Sequence, residues 1–410
     1  MNVRRSAAAL AALGVLAAAA PATAADSSPS APPKVTVPAG LYGRTDPTYD
    51  GVWRQSLALL AQRTVGYRPA ASAVDWLTGQ QCAEGGFAAF RADTAKPCGG
   101  KGGAQPDTNS TAAAVQALQA LGGHDSEIRK ALVWLSSQQN KDGGWGYTPG
   151  SPSDTNSTGV VAGAFAGAGQ DPAKLRLGGK SPYDLLAKWS LPCDGDAAGA
   201  LPYQPDKKGK LTANADATAA AVLGALGKGL AAKAGTAPAQ GYVCANSDKP
   251  LTPEEVANNA SAYLADALYD DGHLKSALPG AKDQPDYGNT ADAVVALAAD
   301  GWGRSAKKPY TWLEKNAAKW AAQSGPAAYA ELVFAAHAMG DDPRDFGGTD
   351  LVRALNATGP APQAASPAHA ETKSAEDDSH TGVWWIVGVG LVAGIGIGFL
   401  LSGRKKKARS

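Results

Sequence analysis

The chain of 410 residues has no excess of either charge, with 38 Lys and Arg against 37 Asp and Glu. Without a basic stripe there is no electrostatic footprint for nucleic acid, which excludes that class of partner. Histidine is scarce. His124, His273, His337, His369 and His380 show no H-x-x-x-H spacing, and no Cys pair has the C-x-x-C form, so neither a His-based nor a Cys-based metal centre is expected. Charged residues make up only 18% of the chain and aromatics 7%. Small residues fill the gap, with 49 Gly and repeated runs of Ala, side chains that let helices pack closely or border an open space.

Both ends point to a membrane. Arg4 and Arg5 precede an apolar run over 7–20, then Pro21 and the small-x-small site Ala22-Thr23-Ala24, the layout of a cleaved signal peptide over 1–25. Residues 383–401 carry no charge and as a helix would reach about 28 Å, enough for one bilayer crossing. Trp384 and Trp385 stand at its start and Arg404-Lys405-Lys406-Lys407 follow it, which predicts an extracytoplasmic N-terminal domain and a cytoplasmic tail over 402–410. The residues before the span, Asp378-Ser379-His380-Thr381-Gly382, keep only the Thr-Gly of an L-P-x-T-G sorting signal, so a retained cell-membrane anchor is expected. Gly390, Gly394 and Gly398 form two overlapping G-x-x-x-G units, a seat for a second span in a homodimer.

Residues 26–40 are rich in Ser, Pro and Ala and read as a disordered lead; 359–382 mix Pro, Ala and acids and read as a flexible stalk. Between them lies one ectodomain, 41–358. Its four cysteines, Cys82, Cys98, Cys193 and Cys244, suit two disulfides in an exported chain. Three connectivities are open, and the shortest loops favour Cys82 with Cys98 and Cys193 with Cys244.

The ectodomain repeats itself. Thr111, Thr158, Thr218 and Thr290 each begin an Ala-rich run that closes eleven residues later on Gly122, Gly169, Gly229 and Gly301. Four residues before each Thr stands Asp107, Asp154, Asn214 or Asp286, a cap for a helix whose C′ position is the Gly. Six such inner helices are expected, near 53–64, 109–121, 156–168, 215–230, 289–300 and 326–339. A second helix type alternates with them, near 73–77, 132–135, 183–190, 253–268, 310–320 and 349–356. In its first two copies Trp76 and Trp134 lead to Gly85-Gly86 and Gly143-Gly144. Six helical hairpins, Ala-rich within and Trp-bearing outside, predict an all-α fold, a closed six-hairpin α6/α6 barrel, followed by the single C-terminal transmembrane helix.

Trp134-Leu135, Gln138 and Asp142-Gly143-Gly144-Trp145 resemble the Gln-Trp repeat of triterpene cyclases. Asn109-Ser110-Thr111-Ala112 and Asp216-Ala217-Thr218-Ala219 resemble the inner helix of the same group. The resemblance is to the α/α toroid superfamily, the prenyltransferase and squalene cyclase type, which also holds complement-type thioester domains and the helical domain of cobalamin carriers. Fold therefore leaves function open. Thioester chemistry would need C-x-E-Q, which is absent, and prenyl transfer would need zinc ligands that four disulfide-bound cysteines do not leave free.

Three readings follow. The first is a membrane-anchored ligand-binding protein without catalysis, taking a corrinoid or similar bulky molecule for uptake, with a transporter or a second-lobe protein as partner and no other cofactor or metal. The resemblance to the carriers' Asp-Thr units, and a polar rim able to meet amide groups, make Asp107, Thr108, Asn109, Asp154, Thr155, Asn156, Asn214, Asp216, Asp286 and Asn289 its candidate contacts. The second is a divergent class II terpenoid cyclase. That resemblance implies a proton-donating D-x-D-D-T-A motif, and before Thr218 the chain offers Asn214, Ala215, Asp216 and Ala217, so Asp216 alone matches the donor. A lone Asp at a helix head is expected to cap it and stay ionised, the wrong state for a donor. The third is a surface interaction scaffold, expected if the ring is plugged by side chains. Paired carboxylates of an α6/α6 glycosidase, from Asp107, Asp154 and Asp286, complete the set.

Overall fold

The computed structural model describes residues 37–100, 103–239, 241–277, 281 and 283–363. The stretches expected to be a signal peptide, most of the lead, the stalk beyond 363, the membrane span with its three glycines and the basic tail lie outside the described residues. Among the described residues no helix is long and apolar enough to cross a membrane.

The described residues form twelve α-helices in six pairs: α1 (Gly51–Thr64) with α2 (Ala71–Gly79), α3 (Thr108–Leu121) with α4 (Asp125–Ser137), α5 (Thr155–Gly167) with α6 (Pro182–Trp189), α7 (Ala215–Ala225) with α8 (Pro253–Ala267), α9 (Tyr287–Ala299) with α10 (Gly303–Ser324), and α11 (Pro326–Met339) with α12 (Leu351–Asn356). The odd-numbered helices touch in sequence, and α11 returns to α1, so they close an inner ring. Burial separates the two series. In α3 every residue from Ser110 to Leu118 is buried, whereas α4 buries only the stripe Ala131, Leu132, Trp134 and Leu135. A helix buried all round has neighbours on every side, and one with a single apolar stripe coats the outside. The all-α, six-hairpin toroid is thus present.

The closeness of the inner ring depends on residues without side chains. A Cβ on Gly159 of α5 would come within 2.3 Å of the Ala220 carbonyl of α7, and one on Gly224 within 2.6 Å of Gly159 Cα. No side chain fits there, so α5 and α7 meet backbone to backbone.

The repeated Thr has a structural task. Thr158 Oγ accepts the Trp145 backbone N–H at 3.0 Å, Thr111 accepts that of Phe87 at 2.8 Å, Thr218 that of Leu201 at 3.0 Å and Thr290 that of Leu274 at 3.0 Å. In each case the donor precedes the inner helix and belongs to the connection leading into it. Two of these connections pair as short antiparallel strands, β1 (Phe87–Ala88) with β2 (Pro106–Asp107) and β3 (Leu274–Lys275) with β4 (Pro285–Asp286). The Gly-Gly turn before them presses on the next hairpin: Gly143 has φ 93°, and a Cβ there would stand 2.2 Å from the Ser181 carbonyl. The Gln before the turn spans the same gap, Gln139 Nε2 donating to the carbonyls of Gly143 (2.8 Å) and Leu175 (3.0 Å). The Gln-Trp motif is therefore a joint between successive hairpins.

Both disulfides have the short-loop connectivity, Cys82 with Cys98 and Cys193 with Cys244. Two boundaries differ from expectation. The fourth inner helix ends at Ala225 rather than 230, because the chain turns at Gly227 (φ 60°) and runs beneath the ring. Residues 359–363, expected to begin the stalk, pack on the toroid: Tyr42 Oη donates to the Pro360 carbonyl at 2.7 Å, and Arg68 bridges Gln363.

Candidate functional site: a carboxyl-lined cavity inside the ring

The inner ring encloses a cavity of about 230 Å3. All six inner helices reach it, through Trp53 and Leu57 of α1, Asn109 and Gln116 of α3, Asn156 and Val160 of α5, Asp216 and Leu223 of α7, Asp292 and Val295 of α9, and Glu331 and Phe334 of α11. Tyr49 and Tyr147 stand at its outer edge, where they are largely exposed. Its opposite end is closed by Lys228, Gly229 and Leu230.

Three carboxyl groups from successive inner helices share this space: Asp216, Asp292 and Glu331. Asp292 and Glu331 lie near the middle of their helices, each three residues, or about 4.5 Å of helix rise, above an apolar wall residue, Val295 and Phe334. Both are part-buried and line the cavity. Among the described residues neither of these two has a hydrogen-bond or ion-pair partner. Gly288 leaves room for one of them, since a Cβ there would come within 3.3 Å of a Glu331 carboxyl oxygen.

Such a group is expensive to ionise. Burial pushes the Asp216 carboxyl up to about 6; the charges of Asp286 and Asp154 push the same way, and the Asn156 amide opposes them. Burial, then the charges of Asp216 and Asp286, raise Asp292 to about 7. Glu331 lies well above the ordinary carboxylate range, through burial first and then its acidic neighbours Asp292, Asp286 and Asp216. Asn156 Nδ2 donates to Asp216 Oδ1 at 3.0 Å, a bond that favours the charged form of that residue alone of the three. Environments that separate carboxyl groups in this way sort them into acid and base. Of the three, Glu331 is pushed furthest toward its neutral form by acidic neighbours, and Asp216 alone has a donor that favours its charge.

Asp216 does not cap its helix. Asn214 does, accepting the Ala217 N–H at 2.8 Å, which leaves the Asp216 side chain free to enter the cavity. The expectation of a cap is therefore corrected: Asn214 takes that place, and burial raises the Asp216 carboxyl.

The other candidate residues fall into three places. Asn109 and Asn156 line the cavity beside Asp216. Asn214, Asp286 and Asn289 line a separate, more open crevice of about 350 Å3, which Asp216 also borders. Asp107, Thr108, Asp154 and Thr155 border neither. Asp107 Oδ1 accepts the Ser110 N–H at 2.7 Å and Asp154 Oδ1 the Ser157 N–H at 2.6 Å, as caps. Thr108 Oγ donates to the Gly146 carbonyl at 2.9 Å, and Thr155 is fully buried. Asp107, Asp154 and Asp286 each cap a different helix.

Sequence reasoning passed over Asp292 and Glu331. A signal existed: each is an acid within an otherwise apolar inner helix, two residues after Thr290 or Tyr329, positions the repeat fills with Ala or Val elsewhere.

Residues 107–171 match the C-terminal domain family of squalene-hopene cyclases. The repeat is of the squalene-cyclase type. The matched stretch holds α3, α4 and α5, and supports the toroid superfamily read from the repeats. Among solved structures the chain is similar to a protein from Actinoplanes (17% identity, 67% of this chain and 73% of that one, TM-score 0.43). It is also similar to the type II terpene cyclase MstE from Scytonema (15% identity, 67% and 72% covered, TM-score 0.43). Likenesses of that size say nothing of substrate. No curated protein sequence matches this chain.

Proposed function

We propose that the ring is a divergent terpenoid cyclase of the acid-initiated kind, acting on a small, neutral, mostly hydrocarbon alkene or epoxide. The observation that carries this is the convergence of Asp216, Asp292 and Glu331 on one cavity with an apolar lower half. Glu331, whose neutral form is favoured by burial and by the charge of Asp292, is the acid. Asp216, whose charged form the Asn156 amide favours, is the base that removes a proton from the product cation. One proton enters and one leaves, so the reaction is an isomerisation. Trp53 and Phe334 offer ring faces to a transient positive charge. A diphosphate substrate is disfavoured, because the cavity lining holds four acids, Asp50, Asp216, Asp292 and Glu331, against one lysine, Lys228, whose ammonium is already bonded to the Ala299 carbonyl at 2.6 Å. A cavity of about 150 Å3 holds benzene, so 230 Å3 takes about ten carbon atoms. A corrinoid is far beyond that, and the cavity lies below the usual range for drug-sized ligands of ~300–1,000 Å3.

The test is incubation of the full chain with geraniol and its terminal epoxide in deuterated buffer. A cyclic isomer carrying solvent deuterium, formed by wild type and lost in Glu331→Gln and Asp216→Asn, supports the proposal. Unaltered substrate after prolonged incubation at pH 5 to 8 would remove it. The second reading is an organic cation held without turnover, favoured by the carboxyls that have no basic partner. Stabilisation by a tertiary amine, growing as pH rises while geraniol gives none, would select it.

A further inference from the structure

Below α7 the chain forms a strap that crosses the ring. After the turn at Gly227, the Lys228 carbonyl lies over Gly163 of α5, where a Cβ would approach it to 2.5 Å. The Leu230 N–H donates to Gln116 Oε1 of α3 at 2.8 Å, and the Gly235 N–H donates to the Ala298 carbonyl of α9 at 2.9 Å. Lys228 Nζ adds its bond to the neighbouring Ala299 carbonyl. Three inner helices thus hold one segment against the lower mouth, and Lys228, Gly229 and Leu230 form the floor of the cavity. A Cβ on Gly229 would come within 2.4 Å of Gln116 Oε1, so a side chain there would displace the amide that holds Leu230.

The cavity is graded along its axis. Asp216 stands in the first turn of α7 and Leu223 in the last, about 10 Å lower at 1.5 Å per residue. The carboxyls occupy the upper and middle levels, while Leu57, Leu223, Val295, Phe334 and Leu230 surround the lower one. A substrate with its reacting group among the acids must point an apolar tail at the strap.

We infer that the strap is the length gauge of this site: Leu230, fixed by the Gln116 amide, limits how much hydrocarbon fits beneath the acids. This rests on the isoprenoid reading above for the ligand class, though not for the existence of the floor. The substrate's tail ends at Leu230, and any longer chain leaves past Tyr49 and Tyr147 at the open end.

The test compares the full chain with Leu230→Ala and Gln116→Ala, none of which alters a carboxyl. Thermal shifts are read with geraniol, of ten carbons, and farnesol, of fifteen, and xenon NMR reports the empty space. Wild type should favour geraniol; Leu230→Ala should gain about tenfold in farnesol affinity and take up additional xenon, with Gln116→Ala changing the same preference. An unchanged length preference in a Leu230→Ala protein that binds more xenon overturns the gauge. Binding of neither alcohol to wild type counts against the isoprenoid reading instead. The floor is then judged on xenon alone: added uptake in Leu230→Ala keeps it, and identical uptake overturns it.

Discussion

Replacing Asp216 by Asn should make this protein more stable while removing its proposed base. In the folded chain burial raises the Asp216 carboxyl from 3.8 to about 6. Between those two values the folded state holds a proton that the unfolded state has released, so stability falls as pH rises through the interval and stays lower above it. At about 1.4 kcal/mol per pKa unit the cost at pH 8 is about 3 kcal/mol, a ceiling because water in the cavity screens part of it. Asn takes the same volume and can still accept from the Asn156 amide, so Asp216→Asn should recover most of that cost at pH 8 and almost none at pH 4. With roughly 320 folded residues and an unfolding entropy of ~2.1 cal/mol/K per residue, the gain amounts to about 4 °C in Tm. Calorimetry of both proteins from pH 4 to pH 8 reads the difference directly. Asp107 and Asp300 are also raised to about 6 and tilt both curves alike, so only the difference between them counts. Parallel curves would refute the argument, showing that Asp216 ionises in the folded state as freely as in water. Curves that diverge upward in pH, together with loss of turnover, would show an acid kept at the expense of stability, as functional groups often are.

Other perturbations test the framework. Thr158→Val should cost about 1–3 kcal/mol in denaturant unfolding, because it leaves the buried Trp145 N–H without an acceptor at nearly unchanged volume. Gly143→Ala should cost more than an ordinary surface change, since φ 93° and the Ser181 carbonyl at 2.2 Å both oppose a side chain; a Tm within a degree of wild type would contradict that joint. On the loop-entropy account, removing Cys193–Cys244, with separation 51, should cost about 4 kcal/mol, against about 3 kcal/mol for Cys82–Cys98, with separation 16. Paired Cys→Ala variants compared by urea unfolding would check that order.

The architecture was legible because its signals are local and repeated. Thr to Gly at a fixed interval, an Asp or Asn cap four residues earlier and a Trp-to-Gly-Gly element mark two helix types in alternation, and six copies of each leave few ways to close a ring. The same repetition misled the reading of the rim. Asp107, Thr108 and Asp154 recur because every hairpin needs a cap and a joint, and the structure spends them on that. The resemblance pointed to Asp216, but the cap role expected of it falls to Asn214. No contiguous motif surrounds it, and whether a carboxyl at the second position of a helix caps the end or enters a cavity depends on the neighbouring helix. Here Asn156 of α5 settles that.

Asp292 and Glu331 carry the more general point. They lie 39 residues apart on different helices, so no spacing rule connects them, and their chemistry exists only because the ring closes. What marks each in the sequence is a local conflict: an acid where the repeat asks for Ala or Val, at a position that a buried helix would otherwise fill with an apolar side chain. A sequence that only needed to fold would have lost them, since each raises the energy of the ionised folded state without making a compensating bond among the described residues. Polar rim residues with structural partners explain themselves. These two do not, and that is the physical ground for placing the chemistry at the centre of the ring and not on its edge.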